Sequence, residues 1–199
     1  MTYEIEHELM SRGITPVCGI DEAGRGPLAG PVFAAAVILP DGLEELGIND
    51  SKKLSEKKRD ILFDLIKEKA IAYSIASASE KEIDELNILN ATFLAMKRAV
   101  DGLSVTPRIA LVDGNRKPGT GIEEITVVKG DAKSISIAAA SILAKVSRDR
   151  YMIELDRKYP EYRFAQHKGY PTALHYEMIK ANGISPVHRL SFLKNLSEK

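Results

Sequence analysis

From Pro16 to Ile20, and again from Val32 to Leu39, the chain is apolar at almost every position, with a Gly/Pro-rich stretch between the two runs. This predicts two neighbouring strands joined by a turn. The second run is apolar on both faces, which places it inside a sheet covered by helices on each side. From Leu54 to Ala70 the residues Leu54, Ile61, Leu62, Leu65 and Ile66 recur at helical spacing, with Ser55 as the N-cap. Ile71 to Ser77 alternates as a strand, and Ser79 with Glu82 has capping-box spacing that opens a helical region. Leu89, Phe93, Met96 and Val100 continue that region on one stripe as far as Gly102, as core residues rather than cofactor contacts. Ile109 to Val112 and Ile125 to Val128 predict two further buried strands. A long helix follows from about Ser134 to Lys158 and ends at Pro160. A short helical lead-in ends near Gly13, and a helical tail from about residue 172 is broken near Asn182-Gly183. The order strand, strand, helix, strand, helix, strand, strand, long helix describes a mixed α/β sheet and disfavours regular βαβ alternation. No repeat or linker divides residues 1–199, so one domain with a C-terminal helical part, 172–199, is expected.

Charge changes this picture little, because 28 Lys and Arg residues balance 28 Asp and Glu residues. Any basic surface that meets a polyanion must therefore be local. The single cysteine, Cys18, lies in an apolar run, which rules out an internal disulfide framework and fits a reducing compartment. The acidic start lacks the basic segment of a secretory signal, and no apolar run reaches the ~20 residues of a bilayer span. A cytoplasmic protein without membrane contact is expected, and nothing demands more than a monomer.

The candidate chemistry is concentrated in a few acids. Asp21 and Glu22 stand where the first strand ends; on an extended backbone they point to opposite sides, and both can reach one ion only where the strand ends or twists. Asp113 follows the strand Ile109 to Val112, and Asp131 comes shortly after the next strand and just before the long helix. Taken singly, Asp113 is equally a turn former and Asp131 a helix N-cap. If the strands are neighbours, the four acids converge, and unpaired carboxylates would repel unless hard cations with oxygen ligands neutralise them. Mg²⁺ or Mn²⁺ suits such a set, and two ions would serve phosphodiester hydrolysis. The four histidines, His7, His167, His175 and His188, are scattered in the sequence and offer no zinc spacing. Arg25 sits between Gly24 and Gly26, where the backbone can approach a ligand closely and the guanidinium can meet phosphate. These glycines do not match the dinucleotide-binding spacing. Lys52 and Lys53 lie near a helix start and read equally as a solvated charge run. Lys57, Lys58 and Arg59 belong to the exposed face of the helix that follows. Asp149 reads as a surface acid beside Arg148 and Arg150. Tyr170, in the basic loop His167 to Thr172, suits stacking on a sugar or base, although a half-buried tyrosine in a turn is commoner.

In order, the blocks Gly19-Ile20-Asp21-Glu22-Ala23-Gly24-Arg25-Gly26-Pro27, Asp50-Ser51-Lys52-Lys53-Leu54, Val112-Asp113-Gly114, Lys129-Gly130-Asp131, Ala139 to Val146 and His167-Lys168-Gly169-Tyr170-Pro171 resemble the ribonuclease HII family over nearly the whole chain. The resemblance implies a ribonuclease-H-like fold with a central five-stranded mixed β-sheet, flanking helices and a C-terminal helical part. It places the metal-binding, catalytic acids on Asp21, Glu22, Asp113 and Asp131, holding two Mn²⁺ or Mg²⁺ ions. It assigns Gly24, Arg25 and Gly26 to the ribose 2′-hydroxyl and adjacent phosphate, Tyr170 to that hydroxyl and the following sugar, and Lys52 or Lys53 to phosphate. The implied activity is hydrolysis of the RNA strand of RNA/DNA hybrids, with cleavage 5′ of ribonucleotides embedded in duplex DNA. That leaves 5′-phosphate and 3′-hydroxyl ends, and a replication or repair partner stays unspecified. Two alternatives stand beside this: a different metal-dependent nuclease on the same fold, and a non-catalytic nucleic-acid-binding protein.

Overall fold

The computed structural model describes residues 3–194. Five strands, β1 (Val17–Ala23), β2 (Val32–Ile38), β3 (Ala72–Ala78), β4 (Ile109–Asp113) and β5 (Glu123–Val127), form one sheet in the order β3-β2-β1-β4-β5. The β3-β2-β1 half is antiparallel, whereas β4 and β5 run parallel to β1, so the sheet is mixed as expected.

Helices α1 (Glu4–Ser11), α2 (Glu56–Lys69), α3 (Glu80–Leu86), α4 (Ile88–Asp101), α5 (Ile135–Lys158), α6 (Phe164–His167) and α7 (Ala173–Asn182) surround the sheet. Alternation along β1 and β2 assigns their two faces. Ala35 and Val37 pack under α5 and α2 with Leu62, Ile66 and Ile142, while Cys18, Ile20, Ala34 and Ala36 pack under α4 with Ala95 and Met96. Gly19 is the point of closest approach between sheet and helix, since a Cβ there would run into the backbone of Ser136 and Ile137. The run of alanines early in α5 serves the same contact, and each is fully buried.

Local signals in the sequence account for most boundaries. Ser55 caps α2 by accepting from the Lys58 amide, Ser79 and Glu82 form the expected capping box on α3, and Ser134 caps α5. The helical region after Ser79 is nevertheless two helices. Asn87 adopts φ 70°, breaks the run, and accepts from the amides of Leu89 and Asn90 to start α4. Strand β1 extends through Asp21 and Glu22 to Ala23, so these acids lie within the strand rather than beyond it. Strand β5 stops at Val127 and leaves Val128 exposed. Beyond α7 the described tail carries a 3-10 turn at Leu190–Phe192 instead of a further α-helix, and residues 195–199 of the expected helical part lie outside the described residues. Among the described residues no helix is long and apolar enough to cross a membrane.

Candidate active site

The acids gather at the carboxyl ends of the parallel strands, the edge where open α/β sheets bind ligands. Ile20 pairs with Val112 across the β1/β4 ladder, so Asp21 and Asp113 stand one step past the last matched pair. Asp113 pairs in register with Val127 on β5, and its Oδ1 accepts from the Gly130 amide at 2.6 Å. That bond ties the end of β4 to the 3-10 turn Gly130–Ala132, which carries Asp131.

Asp21 points toward α5 and interacts with Ser141, and Glu22 points to the opposite side, into a cleft of about 220 Å³ shared with Arg25, Phe93 and Asp113. The carboxylates sense one another. Burial raises the Asp21 pKa well above the usual range, and the charges of Glu22 and Asp113 add to the rise. Glu22 and Asp131 are also raised, first by burial, and Asp113 contributes to both. Asp113 is thus the common neighbour of the other three acids. Among the described residues no three carboxylate, imidazole or thiolate groups already form a finished coordination shell. Instead, Glu22 leans toward Arg25 at 3.4 Å and Asp131 toward Lys52 at 3.6 Å. The donor set is all carboxylate, and its members are held against their mutual repulsion, an arrangement that divalent hard cations relieve.

Lys52 reaches this cluster from the turn Ser51–Lys53, which Asp50 caps and which Ser51 pins to α5 through a 2.8 Å bond to Ser141. Burial works against the Lys52 charge, yet the carboxylates of Asp131 and then Asp21 prevail and raise its pKa. Lys53 lies exposed in the same turn. Arg59, expected on the exposed face of α2, folds back and donates to the Ser51 and Leu54 carbonyls.

Gly24 and Gly26 flank Arg25 immediately after β1, with Arg25 exposed and Gly24 at φ 96°. Tyr170 is part-exposed beside them: a Cβ built on Gly26 would lie 3.9 Å from its Cε1. The sequence-predicted residues therefore share one rim. Acids occupy the sheet edge, the glycine-flanked arginine lies next to Glu22, the lysine turn covers Asp131, and the tyrosine closes the side.

Two further expectations are corrected, and one arrangement was not foreseen. Asp149 pairs with Lys145 at 2.7 Å, and Arg150 pairs with Asp60 across to α2. Arg148 is not on the helix surface; it is 1% exposed and donates to the carbonyls of Ala29, Pro31 and Lys168. The histidines, apart in sequence, are largely brought together in space. His167 stacks on His175 with ring centroids 4.2 Å apart, and His175 Nε2 meets His188 Nε2 at 3.1 Å. Spacings of eight and thirteen residues across loops carry no periodic signal, so only the packing of α6, α7 and the tail reveals the trio.

A five-stranded mixed sheet in this order, wrapped by these helices and bearing carboxylates at the ends of its parallel strands, is a ribonuclease-H-like fold. The ribonuclease HII family model matches residues 18–195. A ribonuclease HII from Caldicellulosiruptor bescii is 55% identical over 98% of this chain and 94% of its own length. The solved ribonuclease H2 of Pyrococcus horikoshii superposes with TM-score 0.74 and 31% identity, covering 88% of this chain and 92% of that one. The ribonuclease HII of Archaeoglobus fulgidus, solved in complex with PCNA, gives TM-score 0.72 and 29% identity, covering 88% of this chain and 94% of that one. The chain belongs to the ribonuclease HII family, and it is a hydrolase that cleaves RNA within RNA/DNA hybrids. Metal dependence is typical of that family.

Proposed function

We propose that this ribonuclease cuts on the 5′ side of ribonucleotides, including single ones embedded in duplex DNA, and leaves 5′-phosphate and 3′-hydroxyl ends. The observation that carries the proposal is the contact between the two recognition elements and the acids. Gly24 to Gly26 begin two residues after Glu22, and Tyr170 stands against Gly26. In this reading a ribose whose 2′-hydroxyl meets the Gly24–Gly26 backbone would present its 5′ phosphodiester to the acids at the adjoining strand ends. The 2′-hydroxyl is the group that distinguishes RNA from DNA at such a position. Tyr170 offers its ring edge and hydroxyl to the same sugar, and Arg25 and Lys52 offer charge to the phosphates on either side.

Asp21, Glu22, Asp113 and Asp131 would hold two divalent cations, Mg²⁺ or Mn²⁺. When bound, such ions supply activation of the attacking water and stabilisation of the leaving oxygen in an in-line displacement. The protein's part is positional. β1 and β4 hold Asp21 and Asp113 side by side, the Gly130 amide fixes the Asp113 carboxylate, and Ser134 and Glu6 fix the start of α5 next to Asp131. The enzyme acts as a monomer on nucleic acid in the cytoplasm; the lone buried thiol of Cys18 supports the reducing compartment alone.

Asp21→Asn and Asp113→Asn test the site on a duplex containing one ribonucleotide. Each should abolish Mg²⁺-dependent cutting while leaving binding of the duplex largely intact. Full activity in either variant excludes the assigned site, and equally fast cutting of an all-DNA duplex by the unmutated enzyme excludes ribose recognition.

A further inference from the structure

Behind the Gly24–Gly26 turn lie two guanidinium groups that the proposed chemistry does not use. Arg189 is 0% exposed and Arg148 1% exposed, and neither makes an ion pair among the described residues. Two buried positive charges side by side are costly, and proteins retain such groups where every donor is engaged. Here the acceptors are backbone carbonyls. Arg189 donates from Nη2 to Gly24 O at 2.7 Å, from Nη1 to Arg25 O at 3.0 Å and from Nε to Gly30 O at 2.8 Å. Arg148 donates to Ala29 O and Pro31 O on the same loop and to Lys168 O, two residues before Tyr170. Its guanidinium also lies 5.8 Å from the Tyr170 ring centre, and it fills the notch left open by Gly24, where a Cβ would collide with it.

A planar trans peptide directs its C=O and the next residue's N–H to opposite sides. Because Arg189 holds the carbonyls of Gly24 and Arg25, the amides of Arg25 and Gly26 must face away from Arg189. Among the described residues neither amide has an acceptor within the protein. The tail residue that does this is itself fixed in place: Arg189 N donates to Leu28 O, Gly30 N donates to Val187 O, and Ala29 bridges His188.

We infer that Arg189 and Arg148 are positioning residues for ribose recognition: Arg189 turns two free amides of the Gly24–Gly26 turn toward the substrate, and Arg148 locks that turn to the segment carrying Tyr170. The inference rests on the proposed reading of that turn as the ribose-binding element. Burial and then the neighbouring Arg148 charge pull the Arg189 pKa down to about 9, so Arg189 stays charged at neutral pH, and burial lowers the Arg148 pKa in the same direction.

The test is the ratio of dissociation constants for an all-DNA duplex and the same duplex with one ribonucleotide, measured with Ca²⁺ present. A ratio is insensitive to the fraction of folded protein, so a merely structural role would leave it unchanged. Arg189→Lys, which can reach only part of the three-carbonyl set, should lower the ratio by about tenfold, and Arg148→Lys by less, in line with losing charge-assisted hydrogen bonds in a preorganised site. If the unmutated protein shows no preference for the ribonucleotide duplex, the reading of the turn fails. If it does, and a folded Arg189→Lys keeps the full ratio, the positioning role is overturned. Should Arg189→Lys not fold, Arg189→Gln and Arg148→Lys are read by the same ratio. A lowered ratio in a folded variant supports the inference, and a full ratio in both overturns it.

Discussion

Acid should loosen this protein through its buried histidines. The hydrogen bonds define one proton arrangement across the trio. His188 Nδ1 accepts from the Ser185 amide at 3.0 Å and from its hydroxyl at 2.6 Å, so His188 Nε2 carries hydrogen and donates to His175 Nε2. His175 then donates from Nδ1 to Tyr170 O, and His167 accepts from the Gly169 amide and donates to Tyr162 O. All three rings are neutral, and a further proton on His175 would set two N–H groups against each other. Burial lowers the pKa of His175 and His188 to about 4, from 6.5, and lowers that of His167 in the same direction. Above pH 6.5 both folded and unfolded chains are neutral here and the full stability is present. As pH falls from about 6.5 toward about 4 the unfolded chain takes up protons that the folded one refuses, and stability is lost. At about pH 5, some 1.5 units below the unfolded value, the loss is about 2 kcal/mol per ring at ~1.4 kcal/mol per unit. The shared bond makes His175 and His188 interdependent, so about 2–4 kcal/mol brackets the pair. Asp21, Glu22 and Asp131 act in the opposite sense, because their raised values favour proton uptake by the folded state. The assay therefore compares urea midpoints at pH 8 and pH 5 for the parent and His188→Gln. The variant should be less stable at pH 8, having lost its bonds to Ser185, and its stability should fall less on acidification, by roughly 1–2 kcal/mol. Parallel pH slopes for the two proteins would refute the neutral network.

Two further outcomes are expected. Without divalent metal, Asp21→Asn should raise stability by about 1–2 kcal/mol, because it removes one buried charge from a set of repelling carboxylates; thermal melts with and without Mg²⁺ should show that the ion stabilises the parent more than the variant. Glu6→Ala should destabilise by roughly 2–3 kcal/mol, since the buried Glu6 carboxylate accepts from Ser134 Oγ at 2.6 Å and the Ser136 amide at 3.1 Å at the start of α5; an unchanged denaturation midpoint would contradict that role.

What was legible in the chain, and what was not, divides by the range of the physics involved. Alternation and helical spacing are local properties, and they were sufficient for all five strands, the caps at Ser55 and Ser79, and the long α5 helix, although its cap is Ser134 and not Asp131. Acids at the ends of predicted strands, and a glycine-flanked arginine beside them, pointed to the candidate site for the same reason: a strand end is where a buried backbone meets solvent. The break at Asn87 was hidden, because a single positive-φ residue interrupts a helix without disturbing its apolar stripe. Arg148, Arg189, Glu6 and the histidine trio were hidden more deeply. Charged and polar side chains are read from sequence as exposed, and whether one is buried depends on whether distant segments bring enough acceptors to it. Only the closed tertiary structure, which sets the tail against the turn after β1 and α1 against the start of α5, supplies those acceptors.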